Sequence, residues 1–363
     1  MSGTRRRRSA SGYNASASAS ASATASGSAT ASAVPLPHYT QVLQKKLHPF
    51  LFMGCWNYTS HTRRGSAARD AVLAMIKTHP EREILVAAGD NAYPEKNVNT
   101  GIKTFNIEDI GRGFDLLLDS RPKGNLLVGI GNHNAERLNM GDKRILQVER
   151  ETFGSCFKNL YFCRIFTKDH CALVFIDTNA FEKKHAKLNA LYEDPDYVND
   201  MLEWLEEVIL YLKKKRYRYY LIQHEPMFSI KPKGVQMLSH VNAVMDVLDE
   251  TGHRPIAILS ADTHNHQQWQ LEYKGHRYMQ VVTGTGGARP HYVPALETIP
   301  LNAEPRINKR PFTSIRYKTP MRNRIPSYGY LEVVKPGTYD FMAVATEGAD
   351  FKTDKADDEA LRV

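Results

Sequence analysis

Four short motifs in this chain carry carboxylate, amide and imidazole groups of the kind that hold metal ions. They are Gly89-Asp90-Asn91-Ala92-Tyr93, Gly131-Asn132-His133-Asn134, His224-Glu225-Pro226 and Ala261-Asp262-Thr263-His264-Asn265-His266-Gln267. A fifth, Gly284-Thr285-Gly286-Gly287, allows close backbone approach. Each motif alone is weak. A Gly-Asp pair is usually a turn, and a lone His after a strand is more often structural. Three possible ligands within five residues, Asp262, His264 and His266, are less ordinary. Together the donors form a mixed nitrogen and oxygen set, which suits Zn, Fe or Mn better than soft metals.

The elements that must position these groups are legible as apolar runs. The runs at Pro49–Gly54, Ile84–Ala88, Leu126–Ile130, Tyr219–Ile222 and Ile256–Leu259 read as buried strands. A motif follows each of them, the first run leading into Gly54-Cys55-Trp56. Tyr161–Phe166 and Cys171–Ile176 read as a strand pair with Asp169 near the turn. Trp269–Tyr273 with Arg277–Thr283, and Gly329–Val334 with Tyr339–Ala345, read as hairpins. Helical spacing is expected over Ser66–Lys77, with Ala67, Ala71 and Met75 on one side. It is also expected over Lys103–Asp119, Tyr197–Leu212 and Gln236–Leu248. Buried strands alternating with helices imply a layered α/β protein, which binds ligands at the carboxyl edge of its sheets.

Residues 1–37 read as a disordered tail rich in Arg, Ser and Ala, and 349–363 as a charged C-terminal tail. The domain is expected at 38–348. Ala15 to Ala33 holds only Ser, Ala, Thr and Gly, with nothing large and apolar to bury. No apolar run is long enough to span a membrane. The four cysteines show no CxxC spacing, and the N-terminus has no secretory pattern. An intracellular, cytoplasmic protein is the expectation. Cys163 and Cys171 could face each other across their hairpin. The net charge of +9, four units of it from Arg5 to Arg8, favours anionic partners without naming one. Nucleic acid could bind through that basic tail. Pro305 to Arg324 holds seven basic residues and no acidic one, a solvated loop or an anion-gathering patch.

The order of the motifs resembles the calcineurin-like metallophosphoesterases, whose pattern is GDxH, GDxx, GNH, a lone His and GHxH. Within that superfamily the motifs are most similar to those of purple acid phosphatases, which read GDW, GDNxY, GNHD, HxP and GHxHNxQ. The resemblance runs from about Phe50 to Gly287. It implies a layered β-sandwich flanked by helices, two metal ions (Fe, Zn or Mn), and hydrolysis of phosphate esters through in-line attack by a metal-bound hydroxide. The substrate would be a phosphorylated small molecule or a phosphoprotein. Carried across, Asp90 would bridge the metals and Tyr93 would be a phenolate ligand. Asn132 and His224 would hold the second ion and His264 the first. His133 would contact the phosphate and protonate the leaving group.

The departures leave alternatives open. Cys55 stands where the family has its first metal-binding Asp, and is either a thiolate ligand or a small buried residue. Asp262 replaces the first His of GHxH and is a plausible carboxylate ligand. Asn134 replaces the Asp that orients the catalytic His, and its amide could accept a hydrogen bond from the ring. His266 would be a ligand only if His264-Asn265-His266 were the HxH. His61 could supply a missing ligand. A binding protein with impaired catalysis, and a phosphodiesterase or nuclease, are the rival functions.

Overall fold

The computed structural model describes residues 35–58, 63–96, 103–134, 144–153, 160–181, 196–232, 234–238, 241–291, 312–319 and 327–344. The two expected tails lie outside these residues except for 35–37, as do Arg5 to Arg8, His61 and Cys156. In chain order the strands are β1 (Thr40–Leu43), β2 (Phe50–Met53), β3 (Ile84–Ala88), β4 (Glu95–Lys96), β5 (Lys103–Thr104), β6 (Leu126–Gly129), β7 (Phe162–Phe166), β8 (Cys171–Phe175) and β9 (Arg218–Ile222). They continue with β10 (Phe228–Lys231), β11 (Gly234–Met237), β12 (Ile258–Ser260), β13 (His266–Tyr273), β14 (His276–Thr283), β15 (Phe312–Tyr317), β16 (Tyr328–Lys335) and β17 (Thr338–Val344). The helices are α1 (Arg63–Lys77), α2 (Ile107–Ser120), α3 (Arg144–Phe153), α4 (Tyr197–Lys214) and α5 (Val241–Glu250).

An eight-stranded sheet runs β1-β7-β8-β9-β12-β14-β13-β15, and a five-stranded sheet runs β17-β16-β2-β3-β6. Each has a parallel centre: β2, β3 and β6 in one, β8, β9, β12 and β14 in the other. Both faces of these strands are covered, which is why their sequences are apolar throughout. The period of two then sorts alternate residues into different cores. Phe50, Phe52, Ile84 and Val86 meet Leu173, Phe175, Tyr220 and Ile222 between the sheets. Leu51, Met53, Leu85 and Ala87 face the other way, against Val72, Leu73 and Ile76 of α1 and Phe114 and Leu117 of α2. On the far side, Ile165, Val174 and Leu221 pack on Leu205, Val208 and Ile209 of α4 and Val244 and Leu248 of α5. The result is a layered β-sandwich flanked by helices, as the sequence implies. Among the described residues no helix is long and apolar enough to cross a membrane.

Some elements differ from expectation. The helix expected over Gln236–Leu248 is split, with Gly234–Met237 forming β11 and the helix starting at Val241. β11 turns back on β10 so that Val235 and Met237 pair with Ile230 and Phe228. The helix expected from Lys103 begins at Ile107, because the Asn106 side chain accepts the Asp109 N–H at 3.1 Å and caps the helix there. On α1 the buried face is Ala68, Val72, Leu73 and Ile76, while Met75 is 41% exposed. The larger aliphatic stripe wins over the alanine-based one. Cys163 pairs with Val174 and Cys171 with Phe166, so the two thiols do not face each other. Both are free and buried, and desolvation pushes each up to about 12.

One buried charge ties the helical layer to the loop after β2. The Arg69 side chain of α1 is fully buried. Its guanidinium donates to Asn57 Oδ1 (3.0 Å), to Asp109 O (3.0 Å) and Oδ1 (3.2 Å), and to Asp70 Oδ1 (2.9 Å). Asn57 in turn donates to Asn91 O at 2.8 Å and Ile110 O at 3.1 Å. Removing the cation alone strands these acceptors. Arg69→Met is expected to lower unfolding stability by about 3–5 kcal/mol, measured by urea denaturation.

Candidate metal centre

The candidate residues follow directly on the carboxyl ends of parallel strands. Cys55 follows β2, Asp90 β3, Asn132 and His133 β6, His224 β9, and Asp262 β12. Three of these turns share one unusual conformation. Cys55, Asp90 and Asp262 have φ of 50°, 54° and 51°. A non-glycine residue there costs about 1–3 kcal/mol and is found where the surroundings enforce it. Two glycines allow the β3 and β6 loops to meet. Gly89 has φ 89°, and a Cβ on Gly131 would lie 2.3 Å from Asp90 Oδ1.

Asp90 sits at the centre and is 1% exposed. Its Oδ1 accepts the His133 N–H at 2.9 Å and lies 3.3 Å from His224 Nε2. Its Oδ2 accepts the Tyr93 hydroxyl at 2.8 Å and the Cys55 thiol at 3.6 Å. Burial alone would raise this carboxyl. The charges of His224 and His133 and the hydrogen bonds outweigh it and hold the group well below the usual carboxylate range.

His224 is fixed from behind. Its Nδ1 donates to Ala88 O at 2.7 Å, which leaves Nε2 aimed at Asp90 and at Asn132 Oδ1, 3.1 Å away. Metal-binding histidines are held in this way. Burial would lower its pKa, but Asp90 raises it to about 9. The donor atoms of Cys55, Asp90 and His224 all lie within 4.8 Å of one another. Burial and the charges of Asp90 and Asp262 push the Cys55 thiol well up. A metal is what would make it a thiolate. Sulfur, oxygen and nitrogen in this set fit Zn or Fe better than Mn.

The other candidates surround that cluster. Tyr93 is buried, and its hydroxyl is 3.3 Å from His264 Nε2. Burial first, then Asp90, raises its phenol well above the ordinary value. His264 Nδ1 lies 3.1 Å from Arg289 O, and its ring stacks on His291 at 4.5 Å. Burial and then His291 lower it to about 3. Asp262 is 7% exposed and is ion-paired with Lys231 at 2.6 Å. His133 lies over Tyr93, with ring centroids 4.6 Å apart. Asn132, His133 and His264 are partly exposed, whereas Cys55, Asp90, Tyr93 and His224 form a buried floor. A ligand would reach the floor past those three.

Two expectations take a definite form. His266 points away from the cluster, toward Thr283 Oγ1 (3.0 Å) and Gln268 (3.1 Å), and stacks on Phe341. Asn134 does not have a free acceptor for the His133 ring. Its Oδ1 takes the N–H groups of Asn91 and Gly131, both at 3.2 Å, which uses its two lone pairs, and its Nδ2 donates to Glu149. Asn134 therefore holds two loops together. Sequence reasoning missed Lys231, Asn57, His291 and the structural role of Asn91. Asn91 accepts from Trp56 Nε1 at 2.8 Å and donates to Gly129 O at 2.9 Å. No local motif marks Lys231, a lysine at the end of a short buried strand.

No family model and no curated protein matches this sequence. Among solved structures the chain is similar to GAP50, the anchor in the inner membrane complex of Plasmodium, at 13% identity and a TM-score of 0.46, covering 87% of this chain and 95% of that one. It is similar to a dimetal phosphatase from Danio rerio at 12% identity and a TM-score of 0.47, covering 82% and 99%. It is also similar to PhoD at 11% identity and a TM-score of 0.47, covering 82% and 68%. At these scores the likenesses are loose and identify no family.

The Asn134 contacts carry a prediction. Asn134→Asp introduces a carboxylate of nearly the same shape as the amide. It sets a second carboxylate against fully buried Glu149 and removes the donor between them. The expected outcome is a loss of about 1–3 kcal/mol, read as a lower denaturation midpoint.

Proposed function

We propose that this chain is a metal-dependent hydrolase of phosphate esters, of the kind that the calcineurin-like and purple acid phosphatase motifs imply. One observation carries the reading. Cys55, Asp90 and His224, all buried and from the ends of three strands in two sheets, gather donor atoms within 4.8 Å of one another. His224 also has its second nitrogen committed to Ala88 O. A purely structural cluster has no need for a thiol and an imidazole on one buried carboxylate.

The roles follow from what each group touches. Cys55, Asp90 and His224 would hold an ion, with the Asn132 amide oxygen beside His224. The resemblance implies two ions bridged by Asp90, with His264 on one and Asn132 and His224 on the other; here Cys55 and His224 gather at Asp90 together, which would leave Tyr93, Asp262 and His264 as the donors for another ion. Bound metal would polarise a phosphoryl oxygen and lower the pKa of water at the site. His133 stands at the exposed rim, where its imidazole would hand a proton to the departing oxygen. Buried Asp90 keeps the floor anionic and His224 oriented. The proposed substrates are phosphomonoesters, either small molecules or phosphoproteins. Whether Arg5 to Arg8 bring nucleic acid is a separate matter.

The test is hydrolysis of p-nitrophenyl phosphate and of its diester, before and after chelation and after return of Zn, Mn or Fe. Chelation should abolish turnover and one of the metals should restore it. Asp90→Asn and His224→Ala should each weaken metal binding by at least about a hundredfold and remove activity while the protein stays folded. Metal-independent turnover, or full activity in Asp90→Asn, would refute the reading. Activity on the diester alone would favour a phosphodiesterase.

Cys55 has its own signature. Cobalt-loaded protein is expected to show a near-ultraviolet sulfur-to-metal charge-transfer band, and Cys55→Ser should remove that band. A spectrum unchanged by the substitution would make Cys55 a buried spectator.

A further inference from the structure

We infer that Lys231 stands in for one of the two metal ions, so that this site takes a single ion among Cys55, Asp90 and His224. The inference rests on the metal-dependent reading above and refines it.

The Lys231 ammonium lies 2.6 Å from Asp262 Oδ2, with the side chains 27% and 7% exposed. Asp262 is the carboxylate that the second ion would need. A Zn–carboxylate bond spans about 2.0–2.2 Å. An ammonium already on the same oxygen would therefore crowd an incoming cation and repel it. The other donors outside Cys55, Asp90 and His224 are a phenol, Tyr93, which spends its proton on Asp90, and the His264 ring. With Asp262 neutralised, no carboxylate is left there that is not shared with the first position. Around Cys55, Asp90 and His224 the described ion pairs include no lysine.

The placement of Lys231 is built into the fold. It ends β10, which belongs to neither main sheet. Two buried amide side chains hold that strand as a neighbouring strand would. Gln280 accepts from Phe228 N at 3.3 Å and donates to Phe228 O at 2.6 Å. Gln267 accepts from Ile230 N at 3.0 Å and donates to Ile230 O at 2.7 Å. Between them, Thr263 Oγ1 donates to Ser229 Oγ at 2.9 Å, so the residue after Asp262 is bonded to the strand that delivers the lysine. Phe228, Ser229 and Ile230 are all buried. A wandering surface lysine would need none of this. The ammonium supplies one positive charge at a fixed place, with no exchangeable ligand position.

The experiment counts zinc. Full-length wild type, Lys231→Met and Lys231→Arg are stripped of metal, saturated with Zn2+, dialysed, and measured by elemental analysis and native mass spectrometry. Circular dichroism reports folding. The expected result is one zinc per chain in wild type and in Lys231→Arg, and two in Lys231→Met. Two in wild type would overturn the inference and leave the metal-dependent function standing. One in folded Lys231→Met would also overturn it, since the lysine would then not be what excludes the ion. None in folded wild type would overturn the function and the inference together. Should Lys231→Met not fold, the counts in wild type and Lys231→Arg decide: one supports the inference and two overturns it.

Discussion

A carboxylate 1% exposed is the constraint around which this protein is arranged. Isolated, a charge at Asp90 would be too costly to keep. It is kept because partners arrive from several strand ends at once. Tyr93 comes from the same loop, His133 from the β6 end, Cys55 from the β2 end and His224 from the opposite sheet. Cys55, Tyr93 and His133 reach Asp90 from its own sheet and loop, whereas the His224 contact forms only when the two sheets close on each other. The site is therefore completed by closure of the sandwich.

The sheets are joined at the same edge by backbone as well as side chains. Gly54 N donates to Thr283 O and Gly286 N to Gly54 O, both at 3.1 Å, which binds the β2 end to the β14 end. Cys55 N donates to Gly89 O at 3.1 Å and Ala261 N to His224 O at 2.8 Å. These bonds fix the turns in which Cys55, Asp90 and Asp262 adopt positive φ. Aspartate tolerates that region better than most residues, whereas cysteine has no such excuse. That backbone turn sets the sulfur 3.6 Å from Asp90 Oδ2.

Much of this was legible in the sequence, for reasons that also explain the failures. Runs such as Phe50–Met53 and Ile84–Ala88 are apolar on both faces, and only a strand between two layers asks for that. Polar groups directly after such runs must lie at a sheet edge, so Asp90, Asn132, His224 and Asp262 could be grouped before any coordinates. The failures lie where a residue is placed by something distant. β11 was hidden because its pairing with β10 is stronger than the helical spacing of its residues. Asn134 was misjudged because Glu149 and two loop amides, not the neighbouring His133, claim its side chain. Lys231 carries no local signal at all, since Gln267 and Gln280 position it from other strands.

The two imidazoles of the site sit in opposite electrostatic surroundings. His224 and His264 have the same chemistry, yet one is raised to about 9 and the other lowered to about 3. Burial would lower both. His224 overcomes it because Asp90 lies 3.3 Å away, with no lysine among its described partners. His264 does not, because burial and the stacked His291 outweigh the pull of Asp90 and Asp262. A cation reaching the site would meet Asp90, held by hydrogen bonds and by His224, and Asp262, ion-paired with Lys231, so the two carboxylates are unequal as ligands.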